Sequence, residues 1–296
     1  MTQREGIVTK GVGGLYTVAF GDISVECRAR GRFRKEETVL SVGDRVRVSP
    51  DNAITEILPR KNCLIRPAVA NLDKLLIVTA FAQPDPDRFY LDKLTVIAEY
   101  YGIEPVLIFN KSDLGDPSEI LPDYERLPYK KFILCTRRPQ TEQISLLAKE
   151  LEGKTSAFAG ASGVGKSSIL NLLAEFSGAG LSAETGDISR KLRRGKHTTR
   201  HVELFSLCGG YLADTPGFGS FEFSYFDLKD RSRLASCFPE FSDSLDLCRF
   251  ADCSHVKEKD CAVKAAVASG RISSSRYGSY CRMYEELGEY RPWELE

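Results

Sequence analysis

The sequence predicts a multi-domain protein: a small all-β N-terminal domain, a central α/β domain and a helical, cysteine-bearing C-terminal domain. Three changes of texture carry this reading. Short alternating apolar segments separated by glycine-rich turns run from Gly6 to about Leu58. From about Asp73, fully apolar runs alternate with helix-period patterns. Beyond about Phe221 the chain is helical in pattern and holds clustered cysteines. The boundaries expected from these changes are 1–66, 67–222 and 223–296, and 296 residues are enough for two or three cores.

In the first segment, Tyr16, Val18 and Phe20, then Val25 and Cys27, Val46 and Val48, and Ile54 and Ile57 form short alternations. Gly13-Gly14, Gly21-Asp22 and Ser49-Pro50-Asp51 punctuate them. Strands of this size and number suit an OB-type barrel, a class that often binds oligonucleotides, and they suit an SH3-like barrel as well. Arg28, Arg30, Arg32 and Arg34 alternate with smaller or apolar residues, so an extended chain would present all four guanidinium groups on one face.

The central segment begins with the run LLIVTAFA and continues into a helix carrying Leu91, Leu94, Ile97, Ala98 and Tyr101, ended by Gly102. PVLIFNKSD, FILCT, SAFAGASG and YLADTPG each place a buried strand before a polar loop. Such alternation predicts a mostly parallel sheet with helices on its faces, and its ligand sites lie outside the carboxyl ends of the strands.

Those loops carry the chemistry. Gly160, Ala161, Ser162, Gly163, Val164, Gly165, Lys166 and Ser167 fit G-x-x-x-x-G-K-S/T, follow an apolar strand, and lead through Ser168 into a helix pattern of Ile169, Leu170, Leu172 and Leu173. The glycines let successive N–H groups turn toward phosphates, Lys166 neutralises β and γ charge, and the Ser167 oxygen can ligate Mg²⁺. Asn110, Lys111, Ser112 and Asp113 form N-K-x-D at the end of another strand. The Asp113 carboxylate can accept from the ring N–H and the exocyclic amine of guanine, whereas adenine presents an acceptor there. The two motifs together select GTP over ATP. Asp214-Thr215-Pro216-Gly217 fits D-x-x-G, in which the aspartate holds Mg²⁺ through its hydration shell and the glycine N–H senses the γ-phosphate. The order of the three is unusual, because the base-reading loop precedes the phosphate loop.

In the last segment, Cys248, Cys253, His255 and Cys261 are separated by four, one and five residues. Three thiolates and one imidazole match the ligand number and softness that tetrahedral Zn²⁺ prefers, and a filled set leaves no place for water, so the ion is expected to be structural. For Cys27, Cys63, Cys135, Cys208, Cys237 and Cys281 a packing role is expected. Nine cysteines with no paired framework also argue against a disulfide-held secreted scaffold.

Net charge is zero, which argues against bulk attraction to nucleic acid, but a second basic cluster at Arg190, Lys191, Arg193, Arg194, Lys196 and Arg200 adds to the arginine face, a solvated surface being the competing reading of either cluster alone. Two such clusters suit a phosphate-rich partner such as RNA. The N-terminal residues lack a signal-peptide core, and no run approaches the ~20 apolar residues that span a bilayer. A cytoplasmic monomer without membrane partners is expected.

The motif order, together with ILPRKNCLIRPAVANLDKLLIV, QPDPDRFYLDKL and AGASGVGKSSILNLL, resembles the circularly permuted, small-ribosomal-subunit-dependent GTPases of bacteria, the RsgA family. The resemblance spans nearly the whole chain. It implies an OB-fold N-terminal domain, a permuted GTPase domain and a zinc-bearing C-terminal domain. It also implies hydrolysis of GTP to GDP and phosphate, stimulated by the small ribosomal subunit and its ribosomal RNA during late maturation. Gly195-Lys196-His197-Thr198-Thr199-Arg200 resembles the family's first switch, so Thr198 or Thr199 is expected to contact Mg²⁺ and γ-phosphate.

Phe218 follows Gly217 where many GTPases carry a water-orienting glutamine. His197 is the replacement to consider, since a neutral imidazole can orient water near pH 7; a packing or RNA-contact role is the competing reading. Cys135-Thr136-Arg137-Arg138 departs from the small Ser-Ala type of sequence that backs guanine in the family. Two other functions compete with an RNA-stimulated GTPase: a non-enzymatic RNA-binding assembly factor using GTP only as a switch ligand, and an ATP-dependent RNA remodeller. Asp113 disfavours the last.

Overall fold

The computed structural model describes residues 3–30, 39–65, 68–178, 202–214 and 231–288. Its strands are β1 (Arg4–Val12), β2 (Leu15–Phe20), β3 (Ile23–Ala29), β4 (Arg45–Val48), β5 (Ala53–Ile57), β6 (Cys63–Leu64), β7 (Val69–Ala70), β8 (Lys74–Ala80), β9 (Glu104–Asn110), β10 (Lys130–Ile133), β11 (Thr155–Ala159), β12 (Glu203–Leu207) and β13 (Gly210–Asp214). The α-helices are α1 (Arg88–Tyr100), α2 (Leu121–Tyr124), α3 (Thr141–Leu151), α4 (Lys166–Phe176), α5 (Ser242–Leu245), α6 (Ala262–Ala268) and α7 (Ser274–Gly288). The chain forms two compact units, one of Met1–Leu76, Pro139–Phe158 and Lys166–Phe218, the other of Ile77–Arg138, Ala159–Gly165 and Gly219–Glu296.

In the first unit, β1 pairs with β2, β2 with β3, β3 with β5, β5 with β4, and β4 returns to β1. The five strands therefore close into an OB-like barrel, which decides between the two barrel classes left open by the pattern. Val8, Val18, Cys27, Val46, Val48 and Ile54 fill it, as the period-2 alternation requires. Arg28 and Arg30 are exposed, but β3 ends at Ala29, and Arg32 and Arg34 lie outside the described residues.

The segment after the barrel is tied back to it by buried polar groups. Asp44 is fully buried and takes Arg60 Nε at 2.6 Å and the Ser41 N–H at 2.8 Å. Asn71 Nδ2 donates to the Gly43 carbonyl at 2.9 Å. These pairings give the charged ILPRKN stretch its place: each buried polar group meets a partner, without which its burial would cost free energy.

The same unit contains β11 parallel to β13, and β13 antiparallel to β12. The pattern did not lead to β12, which breaks the expected run of parallel neighbours. Its tight turn uses Cys208 at φ 51° and Gly209 at φ 71°, the left-handed pair that suits a two-residue hairpin. β12 then meets β1 at Lys10 and Glu203, whose charged ends lie 3.3 Å apart.

In the second unit, the strands run in the order β10-β9-β8, with β9 and β10 parallel. All of β9 except Glu104 is buried, as a sheet covered on both faces demands. The Asp87 side chain caps α1 by accepting from the Tyr90 N–H at 3.0 Å, and Leu91, Leu94, Ile97 and Ala98 form its buried stripe. Gly102, at φ 63°, ends it as expected.

The C-terminal helices of this unit dock on α1 through Arg276, which is 1% exposed. Its Nη1 donates to Asp92 Oδ1 at 2.8 Å and to Thr95 Oγ1 at 3.0 Å, and its Nε donates to Glu240 Oε1 at 2.7 Å. Burial alone would lower the Arg276 pKa, but Asp92 and Glu240 outweigh it and hold the guanidinium charged. Tyr124 donates to the same Asp92 oxygen at 2.8 Å. Among the described residues, no helix is long and apolar enough to cross a membrane.

Candidate nucleotide and metal sites

Asn110, the last residue of β9, is fully buried. Its Nδ2 donates to the Val164 carbonyl at 2.9 Å, and its Oδ1 accepts from the Thr136 N–H at 3.4 Å. One amide thus joins the N-K-x-D loop, the glycine-rich loop and the loop that opens at Cys135. Both of its functional groups are used, so the three loops share a fixed geometry.

Two glycines make the glycine-rich turn possible. At Gly160, φ is +136° and an added Cβ would lie 2.1 Å from the Val78 carbonyl oxygen; at Gly165, φ is +102° and a Cβ would lie 2.1 Å from Asn110 Nδ2. No residue with a side chain fits either place without displacing its neighbour. Between them Val164 is buried, Ala161 is half-buried, and Ser162 and Gly163 face outward. Lys166 opens α4, and burial pushes its ammonium below the usual lysine range. Ser167 and Ser168 follow it, exposed in the first turn.

Lys111 is held in the left-handed region at φ 59°, and its Nζ donates to the Gln83 carbonyl. Ser112 N–H donates to the Leu134 carbonyl at 3.2 Å. The Asp113 side chain is 25% exposed, and Arg137 Nη1 lies 3.9 Å from its Oδ2. Asp214 is the final residue of β13. His197, Thr198, Thr199, Gly217 and Phe218 lie outside the described residues, as does the basic cluster from Arg190 to Arg200.

The second constellation brings together all four predicted metal ligands. One donor atom from each of Cys248, Cys253, His255 and Cys261 lies within 4.8 Å of the others. His255 Nδ1 is 3.5 Å from both Cys248 Sγ and Cys261 Sγ, and those sulfurs are 3.9 Å apart. For Zn–S bonds of about 2.3 Å and Zn–N bonds of about 2.0 Å, a tetrahedron has edges of about 3.5–3.8 Å. The donor set therefore fits such an ion, and the cluster can hold a metal.

The surrounding loop is braced from α7: Tyr277 hydroxyl donates to the His255 carbonyl at 2.8 Å, and Tyr280 hydroxyl to the Ser254 carbonyl at 2.7 Å. Burial lowers the His255 pKa, favouring the neutral imidazole that ligates. Of the other cysteines, Cys27 and Cys237 are buried as expected of packing residues, whereas Cys63, Cys135, Cys208 and Cys281 are half-buried.

The RsgA GTPase family model matches residues 57–224, and the RsgA N-terminal domain model matches residues 5–56. This chain belongs to the RsgA GTPase family. A relative from Bacillus cereus, named small ribosomal subunit biogenesis GTPase RsgA, is 40% identical over 298 residues, covering 97% of this chain and 99% of its own. The crystal structure of YjeQ from Thermotoga maritima superposes with a TM-score of 0.81 at 34% identity, covering 98% of this chain and 100% of that one. YloQ, described as a circularly permuted GTPase, gives a TM-score of 0.79 at 31% identity, covering 98% of this chain and 97% of its own. As an RsgA family member the chain is a GTP hydrolase, and the unusual motif order is that of a permuted GTPase fold.

Three participants were not foreseen in their observed roles. Asn110 counts in the sequence only as a motif letter, yet it is the latch of the site. The Gln83 carbonyl that receives Lys111 leaves no mark in side-chain chemistry. Arg137 stands out only as a charge where the RsgA pattern expects a small residue; that departure was the available signal.

Proposed function

We propose that this chain hydrolyses GTP while bound to the small ribosomal subunit and assists its late maturation; its relatives are named small ribosomal subunit biogenesis GTPases. The observation that carries the nucleotide assignment is Asn110, whose amide links the base loop to the phosphate loop. In this reading Asp113 accepts from both N–H edges of guanine, and Asn110, Lys111 and Ser112 set its position. The N–H groups from Gly160 to Gly165 surround the phosphates, Lys166 neutralises them, and Ser168 continues the helix that Ser167 begins.

Ser167, Asp214 and either Thr198 or Thr199 are the residues that would hold Mg²⁺, with the Gly217 N–H sensing the γ-phosphate. Bound Mg²⁺ neutralises charge on the β and γ oxygens. His197 orients the attacking water in place of a glutamine. The cysteine and histidine cluster holds Zn²⁺ as a structural ion, its binding free energy contributing to folding. The working division is an OB-fold domain over 1–66, a permuted GTPase domain over 67–222 and a zinc domain over 223–296, acting as a monomer in the cytoplasm. Arg28 and Arg30 on the barrel support a ribosomal RNA contact.

The test is turnover of GTP and ATP with and without purified small subunits. GTP hydrolysis is expected to be slow alone and strongly stimulated by subunits, with ATP inert. His197→Ala should keep nucleotide and subunit binding but lose most stimulated turnover, the mark of an interaction made chiefly in the transition state. Stimulated turnover at the wild-type rate in that variant assigns His197 to packing or RNA contact. Absence of any stimulation removes the subunit from the reading.

A further inference from the structure

The backbone of the turn that carries Arg137 is fixed beside the N-K-x-D loop. Arg138 N–H closes a turn on the Cys135 carbonyl at 3.1 Å. Thr136 N–H to Asn110 Oδ1 at 3.4 Å and Ser112 N–H to the Leu134 carbonyl at 3.2 Å pin that turn to the N-K-x-D loop. The Arg137 side chain, 75% exposed, then brings Nη1 to 3.9 Å from Asp113 Oδ2. Among the described residues it is the one cation in an ion pair with Asp113.

The chemistry of the pair bears on the base. The edge of guanine that a carboxylate reads, a ring N–H beside an exocyclic amine on one carbon, is a guanidine fork. Arg137 carries the same fork, permanently charged, and one arm of it, Nη1, stands 3.9 Å from the same carboxylate. We propose that Arg137 competes with guanine for the Asp113 carboxylate and so limits how fast guanine nucleotides enter the site. This rests on the assignment of Asp113 as the base reader.

Exposed side chains change rotamer in picoseconds to nanoseconds, far faster than a nucleotide arrives. The empty site is therefore a rapid equilibrium between a carboxylate held by Arg137 and a free one, and only the free fraction accepts the base. The penalty falls on association and leaves dissociation of bound nucleotide unchanged. Exposed ion pairs of this kind shift an equilibrium by about one and a half to fivefold, which sets the size of the effect. Salt weakens the pair and narrows the penalty.

The experiment is stopped-flow binding of fluorescent GDP and GTP to the full chain, for wild type, Arg137→Ala, Asp113→Asn and the double variant. Arg137→Ala is expected to raise the association rate constant by about one and a half to fivefold at low salt, with an unchanged dissociation rate. The gain should vanish in the Asp113→Asn background, because the guanidinium then has no carboxylate to occupy. An Arg137→Ala association rate that is unchanged or lower overturns the proposal, as does a gain that persists with Asp113→Asn. Faster dissociation from Arg137→Ala also overturns it, by making Arg137 a contact to the bound base. If Asp113→Asn binds GDP and GTP as wild type does, the base-site assignment itself fails, an outcome distinct from the others.

Discussion

A methyl group on the Cα of Gly165 would lie 2.1 Å from the side-chain amide nitrogen of Asn110. The glycine-rich loop and the N-K-x-D loop are packed to the limit at this point, and the same amide nitrogen donates to the Val164 carbonyl only one residue away. Gly165→Ala must push Asn110 aside and also place a side chain at φ +102°. Strain of about 1–3 kcal/mol for such a backbone, relieved by giving up the loop's binding geometry, lowers GTP affinity by about 5- to 150-fold. Calorimetric titration with GTP checks this, and an affinity equal to wild type would show that the latch is not needed for phosphate binding.

Asp113→Asn should weaken GTP binding by about 10- to 100-fold, the loss of hydrogen bonds to a charged acceptor. The same change should raise affinity for xanthosine triphosphate, whose carbonyl can accept from the new amide where the carboxylate repels it. Competition binding with both nucleotides measures the exchange of preference.

Cys253→Ser should remove metal from the purified protein and loosen the region from Cys248 to Cys261, since ligand binding there is coupled to local folding. Elemental analysis and limited proteolysis give the readouts. GTP binding should survive in part. Zinc absent from freshly purified wild-type protein never exposed to chelator would refute the metal assignment.

Arg276→Met should destabilise the chain by about 3–5 kcal/mol, because it leaves Asp92 and Glu240 with an uncompensated buried charge. Denaturant unfolding measures the loss. Adding Asp92→Leu, Glu240→Met and Tyr124→Phe should recover much of it, since an apolar set removes the unpaired charges together with the hydroxyl that donated to Asp92. A single variant as stable as wild type would mean that water reaches this cluster.

The features legible in the sequence are those whose chemistry is local. The glycine-rich loop, Asn110 to Asp113 and the ligands from Cys248 to Cys261 each sit within one short segment, and their spacing alone states what they can hold. The barrel followed from alternation, though its class needed the pairing of β4 with β1. What escaped is made by distant partners. Arg276 stands in SSSRYGSY, a stretch that reads as a polar surface, and is buried because Asp92 waits 184 positions upstream. β12 was missed because only Leu204 and Leu207 of its five residues are buried, too few for a period to show. The Cys208-Gly209 turn was its best available mark.

The pairing of Lys10 with Glu203 sets a timetable for synthesis. The two residues are 193 positions apart, which at about 5–20 residues per second is roughly 10–40 s of translation. The first five strands can close long before that, yet the border of β1 at Lys10 stays open until β12 has emerged. During this interval the one position at which β1 will meet β12, Lys10, is without that neighbour beside a finished barrel. A polypeptide truncated between the two points would keep its barrel but never gain the Lys10–Glu203 junction.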